Sequence, residues 1–477
     1  MTGEAPRHPL ELSADTMRSL VELALEKIIE HLESLPSQPA ADTESAAALA
    51  RSLAESLPSD GSSYEELLDL IFDRLVRKTF NTAGPGYLAY IPGGGIFHAA
   101  LADLIAGSIN RYVGVWAAAP ALVQLETNVV RWFCEIIGYP AGSGGILTSG
   151  GSLANFTAVV AARTDRLPEN FLSGTIYASD QIHHSVLKAA SLAGFPLRNV
   201  RQVPADGRWR IRLDKLAAAI EADRGAGLHP FLIVASAGTT NTGAVDDLDA
   251  LADLAGHQSM WLHVDAAYGG FFMLTARGRA AMRGIERADS ITLDPHKGLF
   301  LPYGNGSLLV RRTATLRAAH SVRADYMPPI QEGESEFVDF CEISPELSRE
   351  FRGLRVWLPI RMHGIGPFRD ELEEKLDLAQ WATAQLRTIE GIEIVAEPQL
   401  SIVAFRFVRP GEDPARTDER NREILAGVNA RQRVHLTGTM LGGAFVLRIC
   451  VLSFRTHRDR VAMAIEDLRE AAAETGP

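Results

Sequence analysis

A change of hydrophobic period at Gly144 constrains this chain most. Up to that point its apolar residues recur at helical spacing. From residue 144 to 310, short runs of four to eight residues rich in Val, Ile and Leu alternate with helix-period segments. Strands are expected at 146–148, 175–178, 231–235, 261–264, 290–293 and 307–310, with helices at 153–163, 184–193, 213–222 and 248–255 between them. Such alternation leaves each strand apolar on both faces, which demands a mostly parallel sheet covered by helices, an α/β architecture. Ligands of such sheets sit outside the carboxyl ends of the strands, so residues just after each strand are the ones to read for chemistry.

Those residues are unusual. Ser149-Gly150-Gly151-Ser152 turns the first strand into a helix; it serves either as a tight turn or as an anion cradle at a helix N-terminus. It has neither the Lys of a Walker loop nor the GxGxxG spacing of a dinucleotide fold. Asp180-Gln181-Ile182-His183-His184 follows the second strand. A metal site needs more ligands than this pair, so a flat ring over a ligand is the better functional reading, beside that of an ordinary helix-start histidine. Asp265 closes the 261–264 strand, as a capping residue or as a carboxylate in the crevice. Lys297 follows the 290–293 strand. The chain has six lysines among 47 basic residues, and only Lys297 stands between apolar segments. Burial lowers the pKa of a lysine amine and makes it a nucleophile toward carbonyls; the alternative is a strand-end lysine reaching for water. An anion cradle, a carboxylate, a flat ring and a lysine on successive strand ends together meet the needs of pyridoxal phosphate (PLP): an imine holds its aldehyde, and a carboxylate keeps its ring nitrogen protonated.

The flanking regions read differently. Residues 13–35, 43–57 and 62–80 form three helices, the third opening on overlapping capping boxes Ser62-x-x-Glu65 and Ser63-x-x-Glu66. With no sheet of their own, they pack on a partner subunit or on their own chain. Residues 81–95 form a loop rich in Gly and Pro carrying Tyr87, Tyr90 and Pro92, and helices follow at 96–111 and 120–139. After a long polar segment (323–350), a helix at 368–389 and strands at 401–407 and 445–449 mark a smaller α+β unit. The expected division is an N-terminal arm (1–80), a large α/β domain (81–367) and a small C-terminal domain (368–477). A net charge of −12 argues against nucleic acid or an anionic membrane as partner, and no apolar run suffices to span a bilayer. Three cysteines without CxxC spacing and no secretory leader point to the cytoplasm.

Seven motifs carry a family resemblance: Tyr-Leu-Ala-Tyr-Ile-Pro (87–92), Trp-Ala-Ala-Ala-Pro-Ala-Leu-Val-Gln-Leu-Glu (116–126), Ser-Asp-Gln-Ile-His (179–183), Ala-Gly-Thr-Thr (237–240), His-Val-Asp-Ala-Ala-Tyr (263–268), Asp-Pro-His-Lys (294–297) and Phe-Arg-Gly-Leu-Arg-Val-Trp (351–357). Across residues 13–466 the sequence resembles the PLP-dependent amino-acid decarboxylases, nearest the aromatic and histidine members. The resemblance implies the fold-type-I α/β architecture with an N-terminal helical arm and a small C-terminal domain, in a homodimer with shared active sites. It implies that Lys297 forms the Schiff base, Asp265 pairs with the ring nitrogen, and His183 and Ala267 flank the ring. Gly150, Gly151, Ser152 and His296 would hold the phosphate, with Thr240 near the ring hydroxyl. Tyr326 would return a proton to Cα after carbon dioxide leaves. Tyr90, Pro92, Gly114 and Ser348 would border the substrate, an L-amino acid with aromatic side chains favoured. An aldehyde synthase and a non-catalytic homologue are the alternatives; the intact Tyr326 speaks against the first, and Lys297, Asp265 and His183 against the second. Asp294 departs from the Asn common at its place, and a carboxylate beside phosphate is unfavourable unless it turns away or bonds elsewhere. Gly298, where a bulky residue is usual, departs too.

Overall fold

Seven strands make the larger sheet: β1 (Gly144–Thr148), β2 (Gly174–Ser179), β3 (Val200–Val203), β4 (His229–Ser236), β5 (Trp261–Asp265), β6 (Ser290–Leu293) and β7 (Gly306–Val310). In the computed structural model, which describes residues 8, 10–321 and 337–475, their order is β1-β7-β6-β5-β4-β2-β3. Only β7 runs against the others, pairing antiparallel with both β1 and β6. Every residue of β1, β2, β5, β6 and β7 is buried, the two-faced burial that the continuous apolar runs require. Helices on both faces supply the cover. The helix Gly151–Arg166 lies against the sheet through Ala154, Ala158, Ala161 and Ala162, small side chains that allow close approach.

A second sheet contains β8 (Ile392–Ala396), β9 (Ile402–Phe407), β10 (Thr437–Leu441) and β11 (Ala444–Cys450), in the order β10-β11-β9-β8 and antiparallel throughout. Its core takes in one face of the helices Gly366–Leu386, Pro414–Ala430 and Arg458–Glu474. The loop at 81–95 stitches the two sheets together. Leu88 belongs to the core of the second sheet and Ile91 to that of the first, and Leu88 exchanges backbone hydrogen bonds with His435 and Cys450.

The N-terminal helices are shorter than their periodicity suggests. The first spans Ala14–Ser34, but the second covers only Ala46–Ser52 because Ser45 enters it in a left-handed conformation (φ 62°). The third is α-helical over Tyr64–Asp69 and continues as a π-turn and a 3-10 turn to Lys78. Of the two overlapping capping-box serines, Ser63 is the N-cap: its hydroxyl accepts the Glu66 N–H. Lys27 bridges Asp69 and Asp73, tying the first helix to the third. Met17, Val21, Leu25 and Ile29 of the first helix stay exposed, and none of its residues is buried.

Candidate active site

The parallel strands deliver their chemistry to one end of the sheet. There a cavity of about 300 Å³ is lined by Gly150, Gly151, Ser152, His183, Thr240, Asp265, Ala267, His296 and Lys297, together with Asp294 and Asn155. All nine residues expected to hold the cofactor therefore meet in one place. A larger cleft of about 970 Å³ runs along the helix Pro120–Ile137 and contains none of them. Among the described residues it gathers none of the expected cofactor residues, so the smaller cavity is the candidate site.

The floor is built by the turn after β1. Gly150 sits at φ 157°, a conformation side chains avoid, and turns the chain directly into the helix that begins at Gly151. No side chain caps that helix, so its first-turn N–H groups remain for an anion. A Cβ on Gly151 would stand 3.1 Å from Asp294 Oδ2 and 3.3 Å from the Ala267 Cβ, filling the cradle. The His296 ring lies over Gly150, with its Nδ1–H donating to the Asn305 carbonyl at 2.6 Å. Burial pushes its pKa down, against the pull of Asp294, whose Oδ2 lies 3.6 Å from its Nε2.

His183 caps the helix His184–Leu192. Its Nδ1 accepts the Ser185 N–H at 3.2 Å, which puts the proton of the neutral ring on Nε2. Burial is the main cause of its lowered pKa, outweighing the attraction of Asp265. Asp265 is held at both ends: Oδ1 accepts the Ala267 N–H at 3.2 Å and Oδ2 accepts from Asn155 Nδ2 at 2.9 Å. Thr240 arrives on the loop after β4. Its carbonyl accepts from the guanidinium of Arg448, a β11 residue that also donates to the Asn241 carbonyl, so the second sheet fixes this edge of the cavity.

Lys297 corrects one sequence-based expectation. A depressed pKa follows from burial alone, and burial is indeed the strongest single influence. Asp294 nevertheless reverses the outcome: its Oδ2 accepts from Lys297 Nζ at 2.8 Å, and with Asp265 behind it the lysine pKa is raised. Asp294 thus bonds to the lysine turn rather than turning away, while its Oδ1 is buried without a hydrogen-bond partner among the described residues. Gly298 has room for no more than it is, since a Cβ there would meet the Phe271 Cβ at 2.7 Å.

The residues expected to border the substrate do not line this cavity in the single chain. Tyr90 is exposed and Ser348 lies at the surface, whereas Pro92 and Gly114 are buried outside it. The backbone next to Pro92 does approach the lysine turn, since a Cβ on Gly93 would clash with the His296 carbonyl. The Gly114 carbonyl accepts the Cys341 N–H, and Tyr112 donates to the Leu347 carbonyl, so Gly114 and Ser348 lie on neighbouring stretches. Tyr326 lies outside the described residues. Two contributors were not anticipated: Asn155, a lone amide among alanines and valines, and Asp294 as the partner of Lys297.

The chain as a whole is similar to known proteins. Residues 47–408 match the model of the pyridoxal-dependent decarboxylase conserved domain. The chain belongs to the pyridoxal-dependent decarboxylase family. An aromatic-L-amino-acid decarboxylase of Bacillus atrophaeus is 35% identical over 98% of this chain and 97% of its own. That of Sus scrofa is 30% identical over 87% of this chain and 88% of its own. Among solved structures, Oryza sativa TDC with PLP and tryptamine superposes with a TM-score of 0.92 at 28% identity, over 97% of this chain and 99% of that one. The decarboxylase described here is a PLP-dependent carboxy-lyase of the fold-type-I α/β class. Its cavity fits the cofactor: an uncapped helix start for an anion, a carboxylate across from it, an imidazole at the side and one lysine within reach of all three.

Proposed function

We propose that this decarboxylase converts aromatic L-amino acids to their amines and carbon dioxide, with the cavity residues in the following roles. The observation that carries the substrate class is the 35% identity with an aromatic-L-amino-acid decarboxylase along nearly the whole of both chains. A Catharanthus roseus tryptophan decarboxylase solved with L-tryptophan, 26% identical with a TM-score of 0.90, supports the same class. When bound, PLP supplies an aldehyde for the lysine amine and a ring that accepts the electron pair released as carbon dioxide departs.

The protein's part is binding, orientation and proton control. Gly150, Gly151, Ser152 and His296 hold the phosphate at the helix N-terminus, where free N–H groups and the helix dipole favour an anion. Asp265, fixed by two hydrogen bonds, would stand at the ring nitrogen and keep a proton there. His183 would cover one ring face, with Ala267 beneath the other. Lys297 would hold the aldehyde, and Thr240 would lie near the ring hydroxyl. Tyr326 is assigned by its position in sequence to return the proton to Cα; an intact tyrosine there favours simple decarboxylation over oxidative deamination to an aldehyde. Tyr90, Pro92, Gly114 and Ser348 border the substrate once a partner subunit completes the wall. The exposed apolar residues of the helix Ala14–Ser34, with Leu101, Leu104 and Ile105 of the helix Phe97–Ile109, support that homodimer. Free Cys134, Cys341 and Cys450 suit a reducing compartment, and we assign the enzyme to the cytoplasm.

Carbon dioxide release across a panel of aromatic, acidic and small L-amino acids tests the substrate class; turnover confined to acidic substrates would overturn it, as would stoichiometric hydrogen peroxide and aldehyde for the reaction type. Lys297→Ala is expected to abolish the visible absorbance of the bound cofactor. A borohydride-reducible adduct surviving in that variant would remove Lys297 from its role.

A further inference from the structure

Asn155 is the fifth residue of the helix Gly151–Arg166 and is 1% exposed. All four of its side-chain hydrogen-bonding positions are used. Nδ2 faces Asp265 Oδ2 and Ser185 Oγ, each at 2.9 Å. Oδ1 faces Thr292 Oγ1 at 2.7 Å and His263 Nε2 at 3.0 Å. The partners settle which way the amide points, because an ionised carboxylate only accepts and the atom facing Asp265 must therefore be the NH₂.

The protons behind it are then ordered. Trp261 Nε1–H donates to Ser290 Oγ at 2.8 Å, and Ser290 stands 2.8 Å from His263 Nδ1. Asn155 Oδ1 can only accept, so the His263 Nε2 facing it bears the ring hydrogen, and the Ser290 hydroxyl gives its own proton to His263 Nδ1. Thr292 donates to Asn155 Oδ1 as well. Burial holds His263 neutral, with a pKa of about 4. On the other side, Ser185 accepts from Asn155 and lies 2.8 Å from His183 Nδ1, the lone-pair nitrogen of that ring. A run of donors of one polarity thus begins at Trp261, passes through His263 and Asn155, and ends on Asp265 and His183.

We propose that Asn155 is the positioning residue for Asp265: its amide, itself held by His263 and Thr292, orients the carboxylate toward the cofactor ring nitrogen. Through Ser185 the same amide steadies His183, so one helical side chain registers the two groups that meet the ring. The proposal rests on the reading that Asp265 meets the ring nitrogen.

The test uses three variants of the holoenzyme: Asn155→Ala, Thr292→Val and Asp265→Asn. Alanine suits a helix interior, and Thr292 does not line the cavity although it faces Asp265 across the β5–β6 ladder; Thr292→Val leaves that backbone pairing intact and keeps the test alive should Asn155→Ala not fold. Loss of a hydrogen bond to a charged group is expected to weaken PLP binding by about tenfold or more in Asn155→Ala. The pH dependence of the bound cofactor's visible absorbance should depart from wild type, and kcat should fall with KM little changed. Thr292→Val should show smaller changes of the same sign. A lowered melting temperature with wild-type PLP affinity and absorbance in either folded variant would reduce Asn155 to a packing role and overturn the proposal. If Asp265→Asn also leaves affinity and absorbance unchanged, the underlying reading of Asp265 fails; if it alters them while Asn155→Ala does not, only the positioning role fails.

Discussion

Replacing Asp294 by Asn separates the two demands this site makes on Lys297. In the cofactor-free chain the ammonium donates to Asp294 Oδ2 at 2.8 Å, with the lysine side chain 22% exposed and the aspartate 3%. A hydrogen bond between ionised groups in such a setting contributes about 1.5–3 kcal/mol net. Asp294→Asn keeps the shape and removes the charge, so the pKa of Lys297 falls. Only the neutral amine attacks an aldehyde, and at a fixed pH below that pKa its population should rise. The substitution also withdraws a negative charge from beside the Gly151 cradle, where the phosphate binds. Both effects have the same sign. Stopped-flow mixing of the cofactor-free chain with PLP, followed by visible absorbance across pH, should show faster capture in the variant and an inflection displaced to lower pH. Capture rates in Asp294→Asn that superimpose on wild type, or an inflection that moves upward, would refute the assignment of Asp294 as the lysine's counter-ion.

Two further outcomes are expected. Gly151→Ala places a methyl 3.1 Å from Asp294 Oδ2 and 3.3 Å from Ala267 Cβ, so equilibrium titration should show markedly weaker PLP binding in a chain that still folds. His263, neutral and buried with a pKa of about 4, lies below its unfolded value. Its contribution to stability is present above pH 6.5 and lost as pH falls through 4, on the order of 3 kcal/mol. In denaturant titrations, the stability advantage of wild type over His263→Gln should shrink by that order between pH 7 and 4; an unchanged difference would show that His263 does not titrate there.

The larger sheet was legible because its strands are buried on both faces, and continuous apolar runs such as Phe231 to Ala235 say so directly. β3 escaped notice because Arg201 and Gln202 interrupt its apolar ends. β10 escaped because Thr-Gly-Thr-Met-Leu reads as loop until β11 pairs with it. The cofactor residues were legible for a topological reason: each stands just after a strand, and parallel strands bring their ends together. Asn155 gave no such signal, since it stands inside a helix and gains meaning only from Asp265, 110 residues away, which shares its hydrogen bond. The raised pKa of Lys297 was hidden for a related reason. Burial can be read from neighbours in sequence, but the direction of a carboxylate three residues earlier cannot. Tyr90, Pro92, Gly114 and Ser348 do not line the cavity, and neither their residue types nor their sequence neighbours show where they stand relative to it.

Arg448 carries a consequence for the energetics of loading. Its guanidinium is 3% exposed and is met by the carbonyls of Thr240 and Asn241 and the hydroxyl of Thr437, all of them dipoles and none a full negative charge. Burial accordingly lowers its pKa. Lys297 and Arg448 are matched by Asp294 and Asp265 around the same cavity, so its formal charges balance, and an anionic group would be held there by the N–H groups at the start of the helix Gly151–Arg166 rather than by a surplus of cations.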